Sequence, residues 1–257
     1  MRIITSLLIL SSFFTFGQKE RGYAQQLRDG NYRIGITAGL QMDRIINEAT
    51  PGYDFEYNVA PRAAVGLNWN YAATGRFLFG FDLAYENLKV RSRGEIPETL
   101  FNTSSSIPLS SNRTFDIYTI NFRFEYVHKI GANHFVSLGI NMNNRWRIKD
   151  DLIGIGQLFV VDDGSMNNVE IVKPDRSNVF IRTPVSLTYT YKNEKVGAFS
   201  LRGMMSWEEG RLVDDFIFIR NADTQEVSIS QHAVTTRFFN ISISWFPSKS
   251  IFFKWNF

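Results

Sequence analysis

From Asn31 onward, apolar and polar residues alternate with a period of two, the mark of strands with two unlike faces. In the first run, Tyr32, Ile34, Ile36, Ala38, Leu40 and Met42 share one face; Arg33, Gly35, Thr37, Gly39, Gln41 and Asp43 share the other. The second sets Val65, Leu67, Trp69 and Tyr71 against Arg62, Ala64, Gly66, Asn68 and Asn70. The third sets Phe77, Phe79, Phe81, Leu83 and Tyr85 against Gly80, Asp82, Ala84 and Glu86. The fourth sets Tyr118, Ile120, Phe122, Phe124 and Tyr126 against Thr119, Asn121, Arg123 and Glu125. Four further runs follow, around Val136–Asn143, Val179–Tyr191, Phe199–Glu208 and Phe239–Trp245. No segment shows a convincing helical period.

Most of these eight runs reach the roughly 9–11 residues that a tilted membrane strand needs. Their connections alternate in length. Residues 72–76, 128–134 and 192–196 are tight turns, while 44–58, 92–114, 149–178 and 209–233 are long. That asymmetry predicts an all-β fold: an eight-stranded antiparallel transmembrane β-barrel, an up-and-down meander over residues 31–246. The short turns are then periplasmic and the long loops extracellular. An even strand count leaves the N-terminal segment 18–30 and the C-terminal segment 247–257 on the periplasmic side. Pro247 interrupts the last ladder, so Ile251–Phe257 is either a tail or part of a shifted closing strand. Two long loops hold further strand-like sequence. Leu152–Val161 is followed by the turn signal Asp163-Gly164 and by Val169–Val172, and Phe216–Ile219 faces Val227–Ile229. The Ser-rich stretch 104–111 reads as a mobile loop.

Alternation alone does not say which face points inward, and a soluble barrel with an apolar interior has the same period. The charges decide the expectation. The polar face carries Arg62, Asp82, Glu86, Arg123, Glu125, Arg182, Arg202 and Glu208, together with small glycines that suit a narrow lumen. The apolar face carries the bulky aromatics, with Tyr and Trp near strand ends, as in interfacial girdles. An eight-stranded lumen is filled by its own side chains. Those eight charged residues are therefore expected to pair inside as a lumen charge network, because an isolated buried charge is very costly.

Composition narrows the picture further. The 257 residues include 23 Phe, 10 Tyr and 5 Trp at a mean hydropathy of −0.16, as expected when apolar and polar positions alternate. The net charge of +3 comes from 28 Lys+Arg against 25 Asp+Glu with no basic cluster, which gives no footprint for nucleic acid. Cysteine is absent, excluding disulfides, thiolate metal sites and lipidation. Arg2 followed by the apolar stretch Ile3–Phe16, with Thr15 and Gly17 as small residues, reads as a signal peptide over 1–17, cleaved near Gln18.

The stretches IGITAGLQM (34–42), PRAAVGLNWNYAATGRFLFGFDLAYENLKVR (61–91) and FDIYTINFRFEYVHKIGANHFVSLGINM (115–142) together resemble the PorT-like outer-membrane β-barrel proteins of Bacteroidetes. The resemblance spans about the first two thirds of the mature chain and is one of pattern and spacing. One departure stands out: a proline is usual in the family's fourth strand where this chain has Asn121 or a neighbour. The resemblance implies a structural or accessory barrel of the cell outer membrane, with some members attached to secretion or gliding machinery. It supplies no catalytic residues.

No catalytic, cofactor or metal site emerges from the residues. His128 and His134 flank a turn at a spacing that is no metal signature. His232 shares the last long segment with Asp214 and Asp215, the one enzymatic suspicion. Gly154-Ile155-Gly156 lacks the context of a dinucleotide site. Three function classes remain: an accessory barrel, a small channel or adhesin, and an outer-leaflet hydrolase. For the first, outer-membrane lipid, lipopolysaccharide and other envelope proteins are the expected partners. Its candidate partner-binding positions are Leu158, Phe159, Phe216 and Phe218, apolar residues in the long segments.

Overall fold

The structure, a computed structural model, describes residues 22–23, 34–48, 54–96, 107–150, 157–162, 165–172, 179–208, 210–221 and 227–248. The expected leader, nearly all of the segment 18–30, Arg33 and Ile251–Phe257 lie outside these residues.

The described residues form thirteen strands: β1 (Ile34–Glu48), β2 (Asp54–Val59), β3 (Arg62–Thr74), β4 (Phe77–Ile96), β5 (Ile107–Lys129), β6 (His134–Asp150), β7 (Gln157–Asp162), β8 (Ser165–Val172), β9 (Val179–Arg182), β10 (Val185–Asn193), β11 (Gly197–Met205), β12 (Gly210–Asn221) and β13 (Val227–Pro247). Eight of them, in the order β1-β3-β4-β5-β6-β10-β11-β13, form an antiparallel sheet that closes on itself through β1 and β13. The closing ladder runs without a break from Ile36 opposite Trp245 to Glu48 opposite Ala233. The fold is a closed eight-stranded up-and-down barrel.

Three staves continue beyond a local interruption. β2 carries on the line of β3 past Ala60 and Pro61, pairing with the upper part of β4. β9 carries on the line of β10 past Thr183 and Pro184, and both pair with β6 in one register. β12 carries on the line of β11, so that β13 pairs first with one and then with the other. Proline explains the first two interruptions, since it has no N–H to give to a ladder. The hairpin β7–β8 then adds to the edge of β12.

Tight turns gather at one end of the barrel. At residues 194–196, Asn193 Oδ1 accepts the N–H groups of Lys195 and Val196 at 2.9 and 3.1 Å. Gly197 then adopts φ +118°, a conformation costly for any residue with a Cβ.

The long connections are shorter than the alternation predicts, because the strands run on into them. β4 reaches Ile96 and pairs residue for residue with β5 down to Ile107, so most of 92–114 is a hairpin stem. Ile107–Ser111, read as part of a mobile loop, belongs to β5. All of β2 but Val59 lies within 44–58, β7 and β8 lie within 149–178, and β12 with the start of β13 within 209–233. All three histidines accordingly lie on strands: His128 on β5, His134 on β6 and His232 on β13.

The reason lies in a reversal of phase. Below Glu86, β4 turns Phe79, Leu83 and Tyr85 outward and Gly80, Asp82 and Glu86 inward. Above it, Leu88 and Val90 are buried inside while Lys89, Arg91 and Arg93 are exposed outside. β5 reverses likewise, with Phe115 and Ile117 buried inside above Thr119. The period of two persists while the assignment of apolar to outside inverts. That inversion marks where the surroundings of the wall change from hydrocarbon to water.

Below the boundary the outer face is apolar around the barrel; Leu138, Ile140 and Ile243 are each at least 60% exposed. Cross-strand aromatic pairs stiffen this face: Phe77 stacks on Phe124 at 5.1 Å, and Tyr85 meets Tyr118 at 5.3 Å. Tyr118 and Tyr126 stand about 26 Å apart along β5. A strand tilt of about 40° makes that about 20 Å of wall height, close to the apolar band of a membrane barrel.

In lipid vesicles, Leu67→Arg or Phe122→Arg is expected to cost about 2–4 kcal/mol. Lys89→Ala, above the boundary, is expected to stay within about 0.5 kcal/mol. Denaturant unfolding measures both, and equal costs at the two levels would remove the boundary.

Candidate functional site: the lumen

Alternation points every second residue of each stave into a space only wide enough for side chains. Two ion-pair clusters occupy it. In the one nearer the tight turns, Arg123 bridges two carboxylates: Nε donates to Asp82 Oδ1 at 2.9 Å and Nη1 to Glu125 Oε1 at 2.8 Å. Arg202, from the far wall, donates to Asp82 Oδ2 at 2.8 Å. Asn68 and Asn121 each give an amide N–H to Asp82 at 2.9 Å, and Ser137 donates to Glu125 Oε2 at 3.0 Å. Asp82 thus collects donors from three other staves, β3, β5 and β11.

The second cluster lies toward the long connections. Arg62 donates from Nε to Glu86 Oε2 at 2.6 Å and meets Asp43 Oδ2 at 2.5 Å. Arg145 donates to the other oxygen of Glu86 and stands 3.8 Å from Asp43. Arg182 lies 3.9 Å from Asp43 and donates to the Thr236 hydroxyl at 2.9 Å. The Arg145 and Arg182 guanidiniums sit 5.9 and 5.4 Å from the buried ring of Phe238. Close packing leaves no room for larger side chains: a Cβ on Gly80 would fall 2.6 Å from Arg123 Cζ.

Both ends of this polar column are apolar. Leu78, Val127 and Phe135 cluster at the tight-turn end, with Tyr23 packed against them, and Ala198 and Phe246 pack beside Leu78 around one cavity. Val59, Leu88, Val90, Phe115 and Ile117 cluster at the other end, with Ile45 and Tyr57 against them. Between these ends, cavities of about 30 and 50 Å³ flank the Asp82–Arg202 pair. Each has room for a few waters at most.

Of the eight residues read from sequence as a lumen charge network, Arg62, Asp82, Glu86, Arg123, Glu125, Arg182 and Arg202 lie in the two clusters. Glu208 does not. It is exposed, beyond the end of β11, and accepts the Thr183 N–H at 2.8 Å and its hydroxyl at 2.5 Å. Those donors hold its carboxyl below the usual range. The alternation of β11 ends at Met205, so counting in twos through Glu208 crosses the interruption and misplaces it. Asp43 and Arg145 were missing from that set. Asp43 already stands on the polar face of the first run, and Asn141, Asn143, Arg145 continue the fifth.

Phe159 and Leu158 fall on β7, and Phe216 and Phe218 on β12, where Phe218 is the register partner of Glu170 and of Ile229. β7 and β12 flank β8 in one sheet. Asp215 and His232 are register partners across β12 and β13. No group of three or more potential metal ligands occurs among the described residues.

No family model matches the chain, and no curated protein does. Among solved structures, it is similar to the outer membrane protein OprG from Pseudomonas aeruginosa, with a TM-score of 0.44 and 12% identity over 83% of this chain and 95% of that one. It is also similar to the β-domain of the Bordetella autotransporter Brka, with a TM-score of 0.28 and 8% identity over 83% of this chain and 99% of that one.

Asp82→Ala leaves Arg123 and Arg202 facing each other in a buried space, and is expected to cost about 3–5 kcal/mol. Glu208→Ala, at an exposed position, should cost about 1 kcal/mol or less. Chemical denaturation of the two variants in the same vesicles checks the contrast.

Proposed function

We propose that this chain is a non-catalytic barrel of the Gram-negative outer membrane, closed to solutes, that serves as a structural or accessory subunit of an envelope complex. One observation carries the reading: two ion-pair clusters fill the lumen, and apolar side chains cover them at both ends. A conduit needs a continuous wet path, and among the described residues the inward charges of the two clusters are engaged with one another. The apolar outer band has its natural solvent in a bilayer, where a closed ladder leaves no strand edge unsatisfied. The tight-turn end then faces the periplasm and the extended staves face outward.

With the lumen filled, the surface left for action is the part of the wall above the membrane. There the hairpin β7–β8 widens the sheet beyond the eight staves. Binding residues concentrate on such projections from rigid scaffolds. The candidate contacts are Leu158, Phe159, Phe216 and Phe218, and the partner is another envelope protein of secretion, gliding or assembly machinery.

Two outcomes are expected. Purified protein in planar bilayers should give no sustained single-channel conductance; a stable open level would overturn the closed-lumen reading. Phe159→Ser and Phe218→Ser together should release co-purifying envelope proteins while the heat-modifiable band persists on gels. Unchanged co-purification in the folded double variant would rule out this docking surface.

A further inference from the structure

Above the apolar band, β4 carries a run of cations on its outer face. Lys89, Arg91 and Arg93 are exposed and occupy every second position, so they stand about 7 Å apart along one stripe. Their inward neighbours Leu88 and Val90 belong to the buried apolar cluster, which anchors this stretch of wall. The flanking ladders bring Lys89 opposite Thr114, and Arg91 opposite Asn112 and Asn58. Among the described residues, carboxylates adjoin the stripe at its two ends. At the top, Glu56 is the register partner of Arg93, and the exposed Glu95 follows it. At the bottom, Asp116 accepts hydrogen bonds from the Tyr85 hydroxyl at 2.7 Å and from Asn87 Nδ2 at 3.0 Å. No ion pair or hydrogen bond with another side chain engages Lys89 or Arg91 among the described residues.

The height of the stripe is as informative as its charge. Tyr85 and Tyr118 meet across β4 and β5 at the upper edge of the apolar band. Lys89 lies four residues further on, about 13 Å along the strand and about 10 Å in height at a tilt near 40°. The headgroup layer beyond the hydrocarbon is about 5–8 Å thick. Lys and Arg side chains are long enough to reach back into it while their stems follow the wall. Like charges at this spacing repel one another, and an anion laid across them reverses the sign. Both cations suit phosphate oxygens, Arg91 as a planar fork and Lys89 as a point charge.

We propose that this stripe docks the phosphorylated sugar headgroup of an outer-leaflet lipid of the lipopolysaccharide class, with Lys89 and Arg91 on its phosphate. The site rests on the reading of the wall as membrane-spanning with the extended staves outward, and it names the lipid chemistry that this side of the wall selects. A headgroup without phosphate has no counterpart for the two cations, and free phosphate lacks the acyl chains that hold a lipid against the band below.

Native mass spectrometry of the full, detergent-extracted chain tests it, with bisphosphorylated lipid A as probe and EDTA present so that no divalent cation bridges lipid and protein. The same lipid stripped of its phosphates and inorganic phosphate serve as the other arms. The phosphorylated lipid should bind about tenfold or more tightly than either control. Each cation removed should cost about fivefold, so Lys89→Ala with Arg91→Ala should lose about twentyfold. The exchange Lys89→Arg with Arg91→Lys keeps both charges and should retain most of the binding. Lys195→Ala removes the same charge at the tight-turn end and should bind as the wild type does. Wild-type binding by the double Ala variant, with its heat-modifiable band intact, overturns the site. Equal binding of either control overturns it too, as does a loss in Lys195→Ala equal to that in Lys89→Ala. Should the double Ala variant not fold, Lys89→Ala alone gives the same reading in one fivefold step. Recovery of the wild-type chain in the soluble fraction would instead overturn the membrane-spanning reading itself.

Discussion

Backbone hydrogen bonding is the constraint from which the rest of this barrel follows. Within hydrocarbon, an N–H or C=O without a partner has no water to turn to, and each one left open costs several kcal/mol. A sheet meets that condition only by closing. Here β1 and β13, from opposite ends of the described chain, pair over the whole length from Ile36 to Glu48. Closure in turn sets the width. With eight staves the interior holds side chains and little else.

That narrowness accounts for the chemistry of the lumen. Residues that point inward cannot be hydrated in bulk, so each charge must find its counter-charge on another stave. Asp82 is held by Arg123 from an adjacent stave and by Arg202 from a distant one. Glu86 joins Arg62 and Arg145, separated by 24 and 59 positions along the chain. Such pairs contribute little net stability over a well-packed apolar interior, but removing one partner is expensive. They therefore hold the register of staves that are far apart in sequence. The glycines at 80 and 139 belong to the same economy of space, because Arg123, Ser186 and Glu125 occupy the volume their side chains would need.

The wall is one continuous object in two solvents. Its staves rise past the apolar band without a change of partner, except where Pro61 and Pro184 interrupt the ladder and where β12 takes over from β11 along β13. What changes is the side that water occupies. Lys89, Arg91 and Arg93 then belong outside, and Leu88 and Val90 inside. The buried apolar cluster above the ion pairs is a small soluble-type core built on membrane staves, and it closes the column from above.

Much of this was legible in the residues. Period-two runs place the eight membrane strands, because one face meets lipid and the other the lumen. Seven of the inward charges follow from counting along those runs. The upper halves of β4 and β5 were not legible as such, whereas Val227–Ile229 of β13 was read as pairing with Phe216–Ile219 and does so: above Tyr85 the same period carries the opposite assignment, and a pattern read for one solvent looks like a loop in another. Glu208 was misplaced for a related reason, since an interruption of the ladder breaks the count. The partners of each charge were beyond the sequence altogether. Alternation says that Asp82 and Arg202 both point inward. Only closure of the sheet brings residues 120 positions apart to 2.8 Å, because which staves face each other across the lumen is a property of the finished circle.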